Sequence, residues 1–234
     1  MKISHLLYKV DDINEAVNHF RSLGFSVSFG KKKNPYNALI YFQDKTYIEL
    51  IENMNLTKFV EIFLYLIGKK DFVNGLKKME KMNEGFIRFS FHINEKIIES
   101  IKNICVNEFG EKVCIVNVKR SDVADNKLSC SCVFPYDSTF PFFNTRLKGN
   151  ENLWNIKHPN KIIGIKSISY ATTGKEYDFI KKFNDEGFIK LIHGKGGIGS
   201  INFKYADGLS EKHLIFEDEW KTIYKAKDLS NYWR

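Results

Sequence analysis

Apolar and polar positions alternate along residues 3–10. Leu6, Tyr8 and Val10 fall on one face and His5, Leu7 and Lys9 on the other, which predicts a strand with two differently used faces. The period then changes. Ile13, Val17, Phe20 and Leu23 recur at three- and four-residue spacing, Asp11 or Asp12 can cap the run, Glu15 sits in its first turn and Gly24 ends it. That combination predicts a helix with one buried stripe. Short alternating runs return at about 25–29, 38–43 and 46–52, around a polar turn at 31–37 that holds Pro35. Residues 1–52 therefore read as a βαβββ unit, which leaves one sheet face concave and open. His5 and Glu49 both fall on that face.

Residues 53–84 lose the alternation. Leu56, Phe59, Val60, Phe63, Leu64 and Ile67 have helical spacing, and a second helix is predicted at about 71–82. We expect a helical insertion on the outside of the sheet, its apolar stripe serving as core. The strand–helix–strand order resumes at 85–147. Residues 85–93 put Ile87, Phe89, Phe91 and Ile93 on one face and Arg88, Ser90 and His92 on the other. A helix at 95–108 and strands near 112–119, 127–134 and 142–146 complete a second βαβββ unit. A third is predicted at 162–218, with Ser167 where His5 lies and Ile215 where Glu49 lies, and a tail at 219–234 holding Trp220 and Trp233. The fold class is α+β: repeated βαβββ units forming an open barrel-like mixed sheet with helices packed outside.

Composition narrows the reading. A chain of 234 residues buries roughly 70% of its unfolded surface, enough for a core without staples. Its 20 Phe and 11 Tyr suit sheet-rich packing. The longest apolar run, 59–68, is too short to span a bilayer and is interrupted by Glu61. With a strand starting at residue 3 we expect no leader, a cytoplasmic location and no membrane contact. The net charge of +8 comes from scattered lysines, and no nucleic-acid signature accompanies it, so a solvated basic surface is expected and no nucleic-acid partner. Cys105, Cys114, Cys130 and Cys132 lack zinc-type pairing and read as buried free thiols. The glycine-rich 194–200 precedes a strand and not a helix, which predicts a hairpin and no nucleotide site.

The opening ISHLLYKVDDINEAVNHFRSLGFSVSFG and the later IELIE resemble the glyoxalase-like branch of the vicinal oxygen chelate superfamily. Gly85 before a strand, Arg120, PFF at 141–143, Trp154 and HPN at 158–160 extend the likeness over residues 1–175. The resemblance implies paired βαβββ units around a divalent metal that holds vicinal substrate oxygens. It implies His5 as the first-strand ligand and Glu49 as the fourth-strand ligand. The second pair departs from that pattern. With the middle unit as partner, Arg88 stands at the histidine position and Asn144 near the position facing Glu49; with the third unit, Ser167 and Ile215 stand there.

Two readings of His5 and Glu49 follow from their chemistry. They could begin a site for zinc, nickel, manganese or iron. Or they form a metal-free polar pair in a ligand pocket. Arg88 favours the second, since two unit charges 4 Å apart repel by about 4 kcal/mol at an effective dielectric of 20, whereas a guanidinium binds carboxylate or phosphate through two parallel bonds. His92 would add a donor or acceptor on the same face, with Arg120 and Asn144 at the rim. The expected function is a glyoxalase-like enzyme or small-molecule binder. In the enzyme reading Glu49 moves a proton next to a carbonyl and His5 assists. The alternative is a non-catalytic, metal-free binder of an anionic amphipathic molecule. A homodimer through the third unit is a further expectation. His158 is expected to fix a turn, and His19 to be solvated.

Overall fold

The computed structural model describes residues 1–206 and 213–215. The tail at 219–234, with Trp220 and Trp233, lies outside the described residues, as does most of the strand expected at 212–218.

The chain opens with β1 (Ile3–Lys9), α1 (Ile13–Ser22), β2 (Ser28–Phe29), β3 (Asn37–Tyr41) and β4 (Tyr47–Ile51). Asp12 caps α1, its carboxylate accepting the N–H groups of Asn14 and Glu15 at 2.7 and 2.9 Å. Ile13, Val17 and Phe20 are buried as the spacing predicts. His19 is not solvated. It is buried with its ring edge against Phe20, and that burial lowers its pKa.

The middle unit repeats the plan with β5 (Gly85–Ile93), α4 (Ile98–Phe109), β6 (Val113–Ser121), β7 (Lys127–Pro135) and β8 (Phe142–Thr145). These eight strands make one curled sheet in the order β2-β3-β4-β1-β5-β8-β7-β6, with β6 at an edge. In each half the last strand lies parallel to the first, and the antiparallel β1–β5 pair joins the halves. The first and middle units are thus the ones that share a concave face. A register shift between Leu7 and Tyr8 changes one assignment. Ile87 packs with Leu7 and Met79 on the concave side, not with Phe89 and Phe91.

The third unit comprises β9 (Ile162–Thr172), α5 (Gly174–Phe183), β10 (Ile189–His193), β11 (Gly197–Tyr205) and β12 (His213–Ile215). Its sheet runs β10-β9-β11-β12, so its pairing differs from that of the other two units. β10 lies parallel and directly beside β9, and Ile215 pairs with Ser200 on β11, away from Ser167. Because β10 and β11 flank β9 on opposite sides, the glycine-rich link is a crossover and not a hairpin.

This second sheet seats on the convex face of the first. Ile165, Ile168, Tyr170, Phe183 and Phe203 join Leu6, Tyr8, Phe20, Phe89 and Phe91 in one core. Ring pairs tie the layers: Phe42–Phe203 at 5.9 Å, Phe89–Tyr170 at 5.2 Å and Phe143–Phe183 at 4.8 Å. Such pairs add about 0.5–1.5 kcal/mol each beyond area burial. A polar clasp adds to them. Asp44, in the β3–β4 turn, accepts from Thr46 through Oδ1 and from Lys204 through Oδ2, while Thr46 Oγ1 accepts from the Ile165 N–H.

The insertion is α2 (Lys58–Leu66) followed by α3 (Lys70–Glu80), and it does not pack outside the sheet. α3 lies over the concave side: Met79 meets Leu7 and Phe142, and Phe72 packs on Phe134 and Tyr136. The approach is close enough that a Cβ at Gly75 would stand 2.5 Å from Tyr136 O. α2 has no buried residue, so the apolar stripe read as core is surface. Spacing identifies an apolar face; it does not supply something to cover it.

The clasp gives the first prediction. A Cβ at Gly164 would stand 2.1 Å from Asp44 Oδ2, a carboxylate fixed by three bonds. Gly164→Ala should therefore cost about 1–3 kcal/mol in denaturant unfolding, the scale of an overpacked site. An unchanged midpoint would show that the junction yields freely.

Candidate functional site

β1 and β4 place His5 and Glu49 on the concave face, but in different surroundings. The register sets His5 beside Tyr47 and Ser90, and Leu7 beside Glu49 and Arg88. The His5 ring stacks on Tyr47 at 4.2 Å and meets the Phe142 ring edge-on at 5.1 Å. Ser90 Oγ accepts the His5 backbone N–H at 3.2 Å and lies 2.7 Å from Nδ1, within hydrogen-bond distance. The imidazole is neutral. Burial, reinforced by the charge of Arg120, brings its pKa down to about 3, against a small opposing pull from Asn144.

Glu49 is half-buried and accepts from Asn37 Nδ2 at 2.7 Å. Across the cleft, Arg120 donates to Tyr41 Oη at 3.4 Å, and its charge is felt by Tyr41, Glu49, Tyr47 and Cys130. Cys130 and Cys132 project to the same face, as their alternation predicts, with sulfurs 4.0 Å apart. The hydrogen bond with Cys132 and the Arg120 charge lower the Cys130 pKa, while Cys132 moves up. Asn144 is fully buried; its Nδ2 donates to Thr145 O, and its Oδ1 has no partner among the described residues.

Arg88 does not reach a ligand position. It is buried, donates from Nε to Phe140 O at 2.7 Å and from Nη2 to Pro135 O at 3.3 Å, and lies over the Phe142 ring at 5.2 Å. Its role is to hold the β7–β8 connection. The His158 ring does more than fix a turn and ties distant parts of the chain: Nδ1 accepts from Ser26 N and Nε2 donates to Tyr41 O, both at 2.9 Å.

One open space lies at the strand ends. A cavity of about 320 Å³ is walled by Tyr47, Leu147, Trp154, Ile165 and Phe188. Lys2, Lys45, Arg146 and Lys204 bring four cations to it, of which Lys204 pairs with Asp44 and Lys45 and Arg146 share Glu151 at 3.7 and 3.8 Å, and His92 is at its edge. Trp154 Nε1 and Arg146 Nε and Nη2 are buried with no hydrogen-bond partner among the described residues. Glu151 Oε2, 3.8 Å from Arg146 Nη2, is too far for one. Tyr41, Tyr47 and Trp154 form an aromatic wall between this cavity and the Arg120–Glu49 group, with Tyr41–Trp154 centroids 5.3 Å apart.

A family model described as "Glyoxalase-like domain" matches residues 3–178. The chain belongs to the glyoxalase-like domain family. Its large sheet joins two βαβββ halves through their first strands. Among solved structures, a hypothetical protein from Staphylococcus aureus is similar at 15% identity over 92% of this chain and 86% of that one, with a TM-score of 0.52. A Mn(II)-bound glyoxalase from Novosphingobium aromaticivorans aligns at 10% identity over 86% of this chain and 64% of that one, TM-score 0.46. The 2,3-dioxygenase LapB from Pseudomonas sp. KL28 aligns at 10% over 99% and 80%, TM-score 0.47. No curated protein sequence matches the chain.

Among the described residues no three His, Cys, Asp or Glu side chains of this glyoxalase-like domain converge to hold an ion. The strands facing His5 offer Ser90 and Phe142, and Arg120 adds a cation that already depresses the imidazole. Sequence reasoning missed Ser90, Arg146 and Trp154 as groups that define the interior. Ser90 was visible two residues beyond Arg88 on the same face. The unpaired donors of Arg146 and Trp154 had no signal in the pattern.

Two predictions follow. Arg88→Met should lower stability by about 2–3 kcal/mol, since two buried carbonyls lose charge-assisted bonds, while leaving small-anion binding unchanged; weakened binding at unchanged stability would contradict this placement. For pH, the His5 pKa is about 3 folded against an ordinary value of 6.5. Between those values the unfolded chain holds the extra proton, so its contribution is intact above about 6.5 and drains away toward about 3, by about 1.4 kcal/mol per pH unit. His5→Gln should flatten the acid limb of unfolding free energy against pH by about one proton, and parallel limbs would refute the buried neutral ring.

Proposed function

We propose that this glyoxalase-like domain binds a small amphipathic anion, without a metal, in the cavity at the strand ends. The observation carrying this reading is the pairing of apolar walls with buried donors on Trp154 and Arg146 that make no hydrogen bond among the described residues, and with more cations than carboxylates even when Asp44 and Glu151 are counted. An unmade hydrogen bond at a buried donor costs about 1–3 kcal/mol, more for a charged one, and an anionic head would recover it. The volume is at the lower end of the roughly 300–1,000 Å³ of small-molecule sites. A single ring or short chain bearing a carboxylate or phosphate fits these requirements.

Binding is favoured over proton transfer because Glu49, the expected base, lies behind the aromatic wall and does not line this cavity. The four free cysteines are consistent with a reducing, cytoplasmic setting.

Titration calorimetry with benzoate, phenyl phosphate and their neutral counterpart benzyl alcohol tests the proposal. The anions should bind and raise the melting temperature, and benzyl alcohol should bind at least about tenfold more weakly. Arg146→Met should weaken the anions by about 10–100-fold, the equivalent of one or two charge-assisted bonds. Equal affinity for all three probes, or an unchanged constant in a folded Arg146→Met protein, would overturn it.

A further inference from the structure

Six of the ten large hydrophobic side chains exposed among the described residues fall within residues 59–67: Phe59, Val60, Ile62, Phe63, Leu66 and Ile67. Phe59 and Leu66 are each 81% exposed. Singly scattered apolar side chains need no explanation, but a contiguous patch on one helix does. α2 is a well-formed helix, with Thr57 Oγ1 accepting from Val60 N at its start. One side of it is committed to α3: Glu61 is bridged by Lys77, Tyr65 Oη donates to Asn74 Oδ1, and Lys77 lies 5.8 Å from the Tyr65 ring. The apolar positions occupy the rest.

The charge around the patch is net positive. Residues 57–82 carry Lys58, Lys69, Lys70, Lys77, Lys78 and Lys81 against Glu61, Asp71 and Glu80. Glu61 is neutralised by Lys77, and Glu80 accepts the Met54 N–H. Lys58, Lys70, Lys78 and Lys81 are exposed. We propose that α2 and these lysines dock on an anionic phospholipid bilayer, the helix lying in the plane of the headgroups with Phe59, Ile62, Phe63 and Leu66 entering the acyl boundary. Apolar burial plus attraction of a lysine fringe to acidic headgroups is the chemistry of interfacial helices. The overall charge of +8 adds to the attraction.

Charge argues against a second copy as the occupant, since a symmetric pairing would set one lysine fringe against another, whereas acidic headgroups neutralise it. The described helices include none long and apolar enough to cross a membrane, so this contact lies on the surface and does not span.

Co-sedimentation of the full chain with vesicles tests it. We expect binding to vesicles of phosphatidylcholine with phosphatidylglycerol, little to phosphatidylcholine alone, and loss as salt rises. Phe59→Ser with Leu66→Ser, both exposed and harmless to the core, should reduce binding by about tenfold or more at an unchanged melting temperature. Lys70→Glu with Lys78→Glu should reduce binding to the anionic vesicles only. Absence of binding by the native chain overturns the proposal, as does binding that survives the serine pair. A dimer in light scattering that the serine pair dissociates, with no vesicle binding, would assign the face to a second copy instead.

Discussion

Every residue of β1 is buried, and its antiparallel seam with β5 is the contact on which the molecule depends. Hydrogen bonds across that seam merge two half-sheets into one, and its register decides what each face presents. Leu6 and Tyr8 are turned to the convex core. His5 and Leu7 are turned to the concave side, opposite Ser90 and Arg88. A one-residue slip would exchange those sets, exposing hydrocarbon on one face and burying polar groups on the other. The register shifts on either side of His5 are therefore part of the design of the interior. They set Ser90 opposite the imidazole, where an unbroken register from the Ile3–Phe91 pair would set Phe89.

The third unit turns this half-barrel into a three-layered body and creates the cavity. Its sheet covers the convex face through aromatic contacts, while Asp44, Thr46 and Lys204 fasten its edge to the β3–β4 turn. Ile165, Phe188 and Lys204 come from this unit, and Tyr47, Arg146 and Trp154 from the chain before it. Neither part alone would enclose the space. Binding at this junction reports on the docking of the third unit as much as on the pocket itself.

Much of the scaffold was legible in the residues. Alternation at 3–10 and 85–93, the Asp12 cap and the Gly24 stop follow directly from local physics, and they were enough to predict two βαβββ halves. The concave face was legible, and the cavity at the strand ends was not. The shared face of His5, Glu49, Arg88 and His92 follows from period two, but their neighbours do not. Whether Arg88 meets a ligand or the carbonyls of Phe140 and Pro135 depends on how the β7–β8 connection runs. The placement of α3 over the concave side and the strand order of the third unit were hidden for the same reason. Periodicity describes one element at a time, and these outcomes are settled between elements.

The edge of the large sheet has a consequence for how the molecule behaves in a crowded solution. β6 is nine residues long and pairs along one side only, which would ordinarily invite a stray chain to extend the ladder. Its exposed positions are Asn117, Lys119 and Ser121, and Lys112 precedes it. An incoming strand would have to desolvate these polar and cationic groups. The rim is thereby shielded from templating fibrils, although three valines, Val113, Val116 and Val118, lie along the strand itself.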